Sequence, residues 1–289
     1  MDFVTICFWD DLPQMKIQAR SMDLFLKRFP IDRIIVVVND SYQKCLEYFE
    51  QQVRSFYGDL SHRVELVDGS SLLELYYGYD NQMQLKIMSS KLVTSYDYVM
   101  LDAKNYLVKE WHLSDIQHDG KFISNFMQYE QDRSLACANS FRYFDLDFNE
   151  CDRIETLTPY FARTDVIQSL ANDERLIPTW KDQWLNEFYL MQAAMISRGI
   201  GIQDYYYTAD LWRSTVWKEY IQYHSDASTY IDNLFRPTTL ISGIHRRVFD
   251  VMPGDVMHQQ QMLWNELGIA NMAESTEIIR EMKILNPRN

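Results

Sequence analysis

Along the first hundred residues the apolar positions switch repeatedly between two spacings. Phe3 to Phe8 is a short β-prone run, and after Pro13 the residues Met15, Ala19, Met22, Leu26 and Phe29 recur at helical intervals. Ile34 to Val38 is wholly β-branched and ends in Asn39-Asp40, after which Tyr42, Cys45, Phe49, Val53 and Phe56 again mark a helix. Arg63 to Val67 predicts a third strand, Gln82 to Val93 a third helix and Tyr98 to Leu101 a fourth strand. Such alternation predicts an α/β fold: parallel strands joined by right-handed crossovers, helices on both faces, and ligand-binding loops at the C-terminal ends of the strands.

Those strand ends carry Trp9-Asp10-Asp11, Asn39-Asp40, Asp68-Gly69 and Asp102-Ala-Lys-Asn105. Polar residues at four neighbouring ends fit a ligand crevice, and equally the ordinary preference of Asp and Asn for turns. The most informative segment is Tyr98-Val-Met-Leu-Asp-Ala-Lys-Asn105, where an apolar run ends in one carboxylate followed by a lysine and an amide. Gln82 and Lys86 share one line of the preceding helix, facing either that crevice or solvent.

The second half is less regular, passing through a polar, aromatic stretch from Gln128 to Asp152 to a helix predicted over Gln183 to Arg198. Trp184, Phe188, Met191 and Met195 form its inward stripe, and Gly199 reads as its C-terminal cap. Glu187 lies in its first turns in line with Met191, placed either to act as a general base or merely to favour the helix N-terminus. Leu240 to Ile244 predicts a late strand followed by His245 and Arg246-Arg247, a position from which a histidine can ligate a metal, bond a phosphate or simply pack. The Tyr205-Tyr-Tyr207 cluster suits aromatic packing or stacking on a ligand, and His258 receives no role. No Pro/Gly/Ser linker, internal repeat or low-complexity tract interrupts the chain, which predicts one domain over 1–289 in two unequal halves.

Composition narrows the function. With 289 residues, 47% of them hydrophobic and 14% aromatic, the chain can bury a large core. Its net charge of −13 repels nucleic acid and anionic bilayers, while leaving room for a nucleotide held by local donors. Neither G-x-G-x-x-G nor G-x-x-x-x-G-K-[ST] occurs, which argues against dinucleotide enzymes and P-loop NTPases. Cys7, Cys45, Cys137 and Cys151 lack metal-knuckle spacing and read as reduced thiols. The N-terminus has no signal-peptide pattern and no long apolar span follows, so a cytoplasmic location is expected, with peripheral membrane association left open.

Gly78-Tyr-Asp-Asn-Gln-Met-Gln-Leu-Lys86, Tyr98 to Asn105 and Asn186-Glu-Phe-Tyr-Leu190 together resemble glycosyltransferases of the GT-A fold, nearest a bacterial group long catalogued as a domain of unknown function. The resemblance implies a Rossmann-type mixed sheet with an elaborated C-terminal half: residues 1–110 bind the nucleotide-sugar donor, and residues 111–289 bind the acceptor and carry catalysis. It implies transfer to a saccharide or glycolipid acceptor in surface polysaccharide synthesis. Asp102 would meet the donor and its Mn²⁺ or Mg²⁺, with His245 completing the metal or diphosphate site. Asp10 and Asp40 would lie near the nucleoside, Gln82, Lys86 and Asn105 near the donor, and Glu187 would deprotonate the acceptor in an inverting reaction.

Lys104 stands where the familiar acidic signature has a second carboxylate. Beside an ion it would repel the metal; facing the diphosphate it could replace the metal's charge. Two other classes stay open, a nucleotidyltransferase and a degenerate GT-A-like binding module.

Overall fold

The computed structural model describes residues 1–74, 78–127, 135–209, 212–216, 218, 221 and 224–285. The apolar runs become strands β1 (Asp2–Cys7), β2 (Ile34–Val38), β3 (Val64–Asp68) and β4 (Asp97–Asp102). They are followed by β5 (Asn105–Leu107), β6 (Gln117–His118), β7 (Lys121–Ser124) and β8 (Tyr160–Arg163). The last are β9 (Tyr206–Thr208), β10 (Arg213–Val216) and β11 (Ile241–Ile244).

The central sheet has the order β3-β2-β1-β4-β8. Its first four strands are parallel, and β8 runs antiparallel to β4 with Met100 opposite Tyr160. Every residue of β1 and β2 is buried, as helices on both faces require, and β2 is an uninterrupted apolar run. The reversal of β8 brings the loop entering it to the same sheet edge as Asp102.

After β4 the chain turns through Ala103 and Lys104 and leaves the central sheet as β5, which joins a second sheet of order β10-β11-β5. Ile244 N–H donates to the Lys104 carbonyl at 3.2 Å, closing this corner against the end of β11. β11 passes close by: a Cβ at Gly243 would lie 3.0 Å from Asn105 Nδ2 and 2.9 Å from Thr215 Oγ1. A second core gathers on this sheet around Tyr106, Trp264, Val248 and Phe249, while a small third sheet has the order β6-β7-β9.

The third helix spans Tyr79–Met88 and continues as a 3-10 turn, Ser89–Leu92. The helix expected from Gln183 starts instead at Glu187 and ends at Ser197. Asn186 is its cap, accepting from Phe188 N–H at 3.1 Å and Tyr189 N–H at 3.2 Å. Trp184 therefore lies outside the helix and 63% exposed, whereas all residues from Glu187 to Met195 are buried, so the helix has no polar stripe until its last turn. Gly199, at φ 76°, caps the far end as expected.

The tyrosine cluster packs rather than opening to a ligand: Tyr205 donates to Asp97 Oδ1 at 2.6 Å and Tyr206 to the Phe161 carbonyl at 2.5 Å. All four cysteines are unbridged. Of the polar stretch from Gln128 to Asp152, residues 128–134 lie outside the described residues. Among the described residues no helix is long and apolar enough to cross a membrane.

Candidate active site

Asp102 ends β4, and its backbone is fastened from behind. Asn105 Oδ1 accepts from Asp102 N–H at 2.7 Å, and Gln18 Nε2 donates to the Asp102 carbonyl at 2.8 Å and the Asn105 carbonyl at 3.2 Å. The carboxylate is thereby aimed forward into a set of cations. Lys86 Nζ lies 2.9 Å from Oδ1, while Oδ2 pairs with Lys104 and accepts from Thr158 Oγ1 at 2.9 Å.

Lys86 continues the chain of charges. Its ammonium sits 3.0 Å from Glu187 Oε1 and 4.7 Å from the centre of the Phe188 ring. Burial alone would lower its pKa, but Asp102 and Glu187 outweigh burial and hold it above the usual lysine value. For Asp102, burial alone would favour the neutral acid, yet Lys104 and Lys86 keep it well below the usual carboxylate range. Lys104 is drawn below an ordinary lysine by burial, against the pull of Asp102. Glu187 closes the series with no exposed surface, and its Oε2 makes no hydrogen bond among the described residues.

The opposite wall is the 3-10 turn Arg246–Asp250 following β11. His245 caps it: Nδ1 accepts from Arg247 N–H at 3.3 Å, so the neutral ring carries its proton on Nε2. Burial first, then Arg246, Lys104 and Arg247, push the imidazole pKa down to about 3. Arg246 spans two carboxylates, reaching Asp10 Oδ2 at 2.6 Å and pairing with Asp11 Oδ1. Burial raises the Asp11 pKa, against the pull of Arg246. Arg247 is exposed and forms no ion pair among the described residues.

These walls enclose a cavity of about 450 Å³, into which Asp10, Gln82, Lys86, Asp102, Lys104 and His245 all project. Phe8, Gln14, Tyr79, Thr156, Leu157, Phe188, Arg246 and Arg247 complete most of its lining. Three expected residues stand elsewhere. Asp40 sits at the end of β2, where its Oδ1 accepts from Ser41 N–H at 2.7 Å, and Asn105 props the corner behind Asp102. Glu187 lies beneath Lys86.

Arg246, Arg247 and the segment around Thr156 to Thr158 join the site without a role expected from the sequence, and Asp11 joins it as one of the strand-end residues that fit a crevice. The adjacent arginines after a strand were a usable signal for the first two. A loop threonine has no such signal.

The donor set does not suit the expected Mn²⁺ or Mg²⁺. Both Asp102 oxygens face ammonium groups, and His245 presents an N–H rather than a lone pair. Among the described residues no three His, Cys, Asp or Glu side chains are grouped to hold an ion.

A parallel sheet of this order, edged by an antiparallel strand with the acidic end of β4 at its ligand-facing rim, is the GT-A fold. The chain covers 92% of itself and 100% of a galactosyltransferase, LgtC, solved with donor and acceptor sugar analogues, at 10% identity and a TM-score of 0.52. It is similar over 97% of its length to 51% of the bifunctional glycosyltransferase WbbM, at 9% identity and a TM-score of 0.51, and so spans about half of that enzyme. In sequence the chain belongs to the family of unknown function DUF6492, whose profile matches residues 5–277. No curated protein matches it in sequence.

Proposed function

We propose that this chain is a glycosyltransferase that moves a sugar from a nucleotide-sugar donor and meets the charge of the leaving diphosphate with side chains instead of a divalent ion. The observation that carries this reading is the state of Asp102: the carboxylate expected to hold an ion is held by Lys86 and Lys104. The similarity to a transferase solved with donor and acceptor analogues supports the choice of ligand.

Breaking the bond between the anomeric carbon and the diphosphate oxygen leaves negative charge on that oxygen, and preorganised donors lower the barrier if they face it. Lys104, the Nε2–H of His245 and the exposed guanidinium of Arg247 line one side of the cavity and fill that role. Asp10 and Arg246 sit at the β1 end, where the nucleoside would lie, with Gln82 on the helix opposite. Asp40, outside the cavity lining, would meet the donor only beyond the rim.

Glu187 takes a different task from the one its position in the chain suggests. A base must come within hydrogen-bonding reach of the acceptor hydroxyl. Glu187 has no exposed surface and bonds Lys86, so we assign it to holding that ammonium against Asp102. The inverting course thereby loses the residue on which it rested. The acceptor class remains the one the resemblance implies, a surface saccharide or a glycolipid, the latter reached by peripheral attachment to a membrane.

Thermal unfolding in EDTA against UDP-, GDP-, CMP- and dTDP-sugars and against nucleoside triphosphates, with turnover assayed on any ligand that binds, tests the reading. One sugar nucleotide at a hundred times its Kd should stabilise the chain by about 2.7 kcal/mol. Stabilisation by nucleoside triphosphates alone would favour a nucleotidyltransferase, and binding without turnover a non-catalytic module; either outcome rejects the proposal.

A further inference from the structure

We infer that Arg213 is a positioning residue that sets the sugar-facing wall of the cavity through a strap to Glu155 and Leu157; this rests on the glycosyltransferase reading above. The wall is the segment entering β8. Because β8 is antiparallel to β4, that segment lies beside Asp102 on the flank away from β1 and β2, hence beyond the diphosphate position and against the transferred sugar or its acceptor.

The segment is held unevenly. Its beginning is secured by backbone and by one buried amide: Ile154 N–H donates to Gln192 Oε1 at 2.9 Å, Gln192 Nε2 returns a bond to the Ile154 carbonyl at 3.2 Å, and Glu155 N–H donates to the Asn125 carbonyl at 3.0 Å. Its end is tied to the charge cluster by the Thr158 hydroxyl. Between them Thr156 and Leu157 line the cavity, half-buried. What holds this middle is Arg213, 6% exposed, which pairs with Glu155 Oε2 and donates from Nη1 to the Leu157 carbonyl at 3.1 Å. Asn125 Nδ2 holds the same Glu155 oxygen at 3.0 Å.

Arg213 is fixed in turn. Its guanidinium lies 5.0 Å from the Trp212 ring, and its backbone is in register with Ile241 on β11, the strand that leads to His245. One strand pair therefore sets both the phosphate-facing turn and, through Arg213, the opposite wall. An arginine suits this task because its planar fork bonds a carboxylate and a carbonyl at once; a lysine cannot reproduce both.

The experiment compares Arg213→Met, Arg213→Lys and Glu155→Gln with the unaltered chain in two readouts. Carbonyl carbon shifts and backbone order parameters of the free protein test the strap alone. In Arg213→Met the Leu157 carbonyl resonance should move and the order parameters at residues 156 and 157 should fall from about 0.85 to below about 0.6, while those of 154 and 155 hold, with Glu155→Gln smaller in the same direction. An unmoved Leu157 carbonyl with equal order in all variants would overturn the strap.

Calorimetry with UDP, GDP, CMP and dTDP and their sugar conjugates tests its purpose. Arg213→Met should weaken the bound sugar nucleotide about tenfold while leaving the matching sugar-free nucleotide within twofold, and Arg213→Lys should not restore the difference. A parallel loss for both ligands, or none, would overturn the positioning role. Failure of the unaltered chain to bind any conjugate would overturn the transferase reading itself, leaving the carbonyl shift and order parameters to decide the strap.

Discussion

Replacing Lys86 by methionine removes the ammonium that stands between Asp102 and Glu187 while keeping most of the side-chain volume. Asp102 retains Lys104 and Thr158, but Glu187 is left fully buried with its one described partner gone. Breaking a buried pair in this way costs about 3–5 kcal/mol. For a chain of this length each kcal/mol is worth roughly 2–4 °C of Tm, so Lys86→Met should melt on the order of 10 °C lower. Glu187→Gln leaves Lys86 paired with Asp102 and should cost about 1–2 kcal/mol, the scale of one weakened charged hydrogen bond.

The double variant is the decisive member of the cycle. With both charges gone, the uncompensated carboxylate disappears, and Lys86→Met/Glu187→Gln should be more stable than Lys86→Met alone by about 1–3 kcal/mol. Urea unfolding of the four proteins at neutral pH measures this directly. If the two losses simply add, the pair is not coupled, and Glu187 does not exist to hold Lys86.

Three further outcomes follow from the cavity. Lys104→Ala should lower turnover about 10²–10³-fold, the usual cost of deleting one donor to a developing oxyanion, and added Mn²⁺ should not restore it; near-normal turnover would return the leaving group to a metal. Arg247→Ala should weaken the sugar nucleotide and the free nucleoside diphosphate alike, because the proposed reaction sets its exposed guanidinium against the phosphate and not the sugar; unchanged binding of both in calorimetry would remove it from the site. His245 is held near pKa 3 in the fold against 6.5 in the open chain, so the unfolded state takes up its proton first as pH falls. Its contribution to stability is complete above pH 6.5 and lost between 6.5 and 3. His245→Asn should therefore show a shallower fall in Tm across that window, and an identical slope would refute the assignment.

Much of the fold was legible because local pattern and global arrangement agree. The five consecutive β-branched residues of β2 allow little besides a buried strand, and the helical spacing between strands required crossovers. The Glu187 helix was harder to bound because it is apolar nearly all round, so Trp184 looked like one more member of a stripe, whereas Asn186 marks the true start.

Asp102, Lys86 and Lys104 were readable as a site, but the pairing of Lys86 with Glu187 joins residues 101 positions apart. Sequence spacing carries no trace of that contact, and from the helix alone Lys86 was as suited to solvent as to a buried pair. The same limit hid Arg213, a strand residue whose partners lie 56 and 58 positions away across another sheet.

In the proposed reaction Lys104, His245 and Arg247, and not an ion, receive the leaving diphosphate. Release of nucleoside diphosphate from the sugar nucleotide that binds, measured in excess EDTA and again in Mn²⁺, tests it most directly. Equal rates in the two conditions are predicted; turnover that vanishes in EDTA and returns with Mn²⁺ would contradict it.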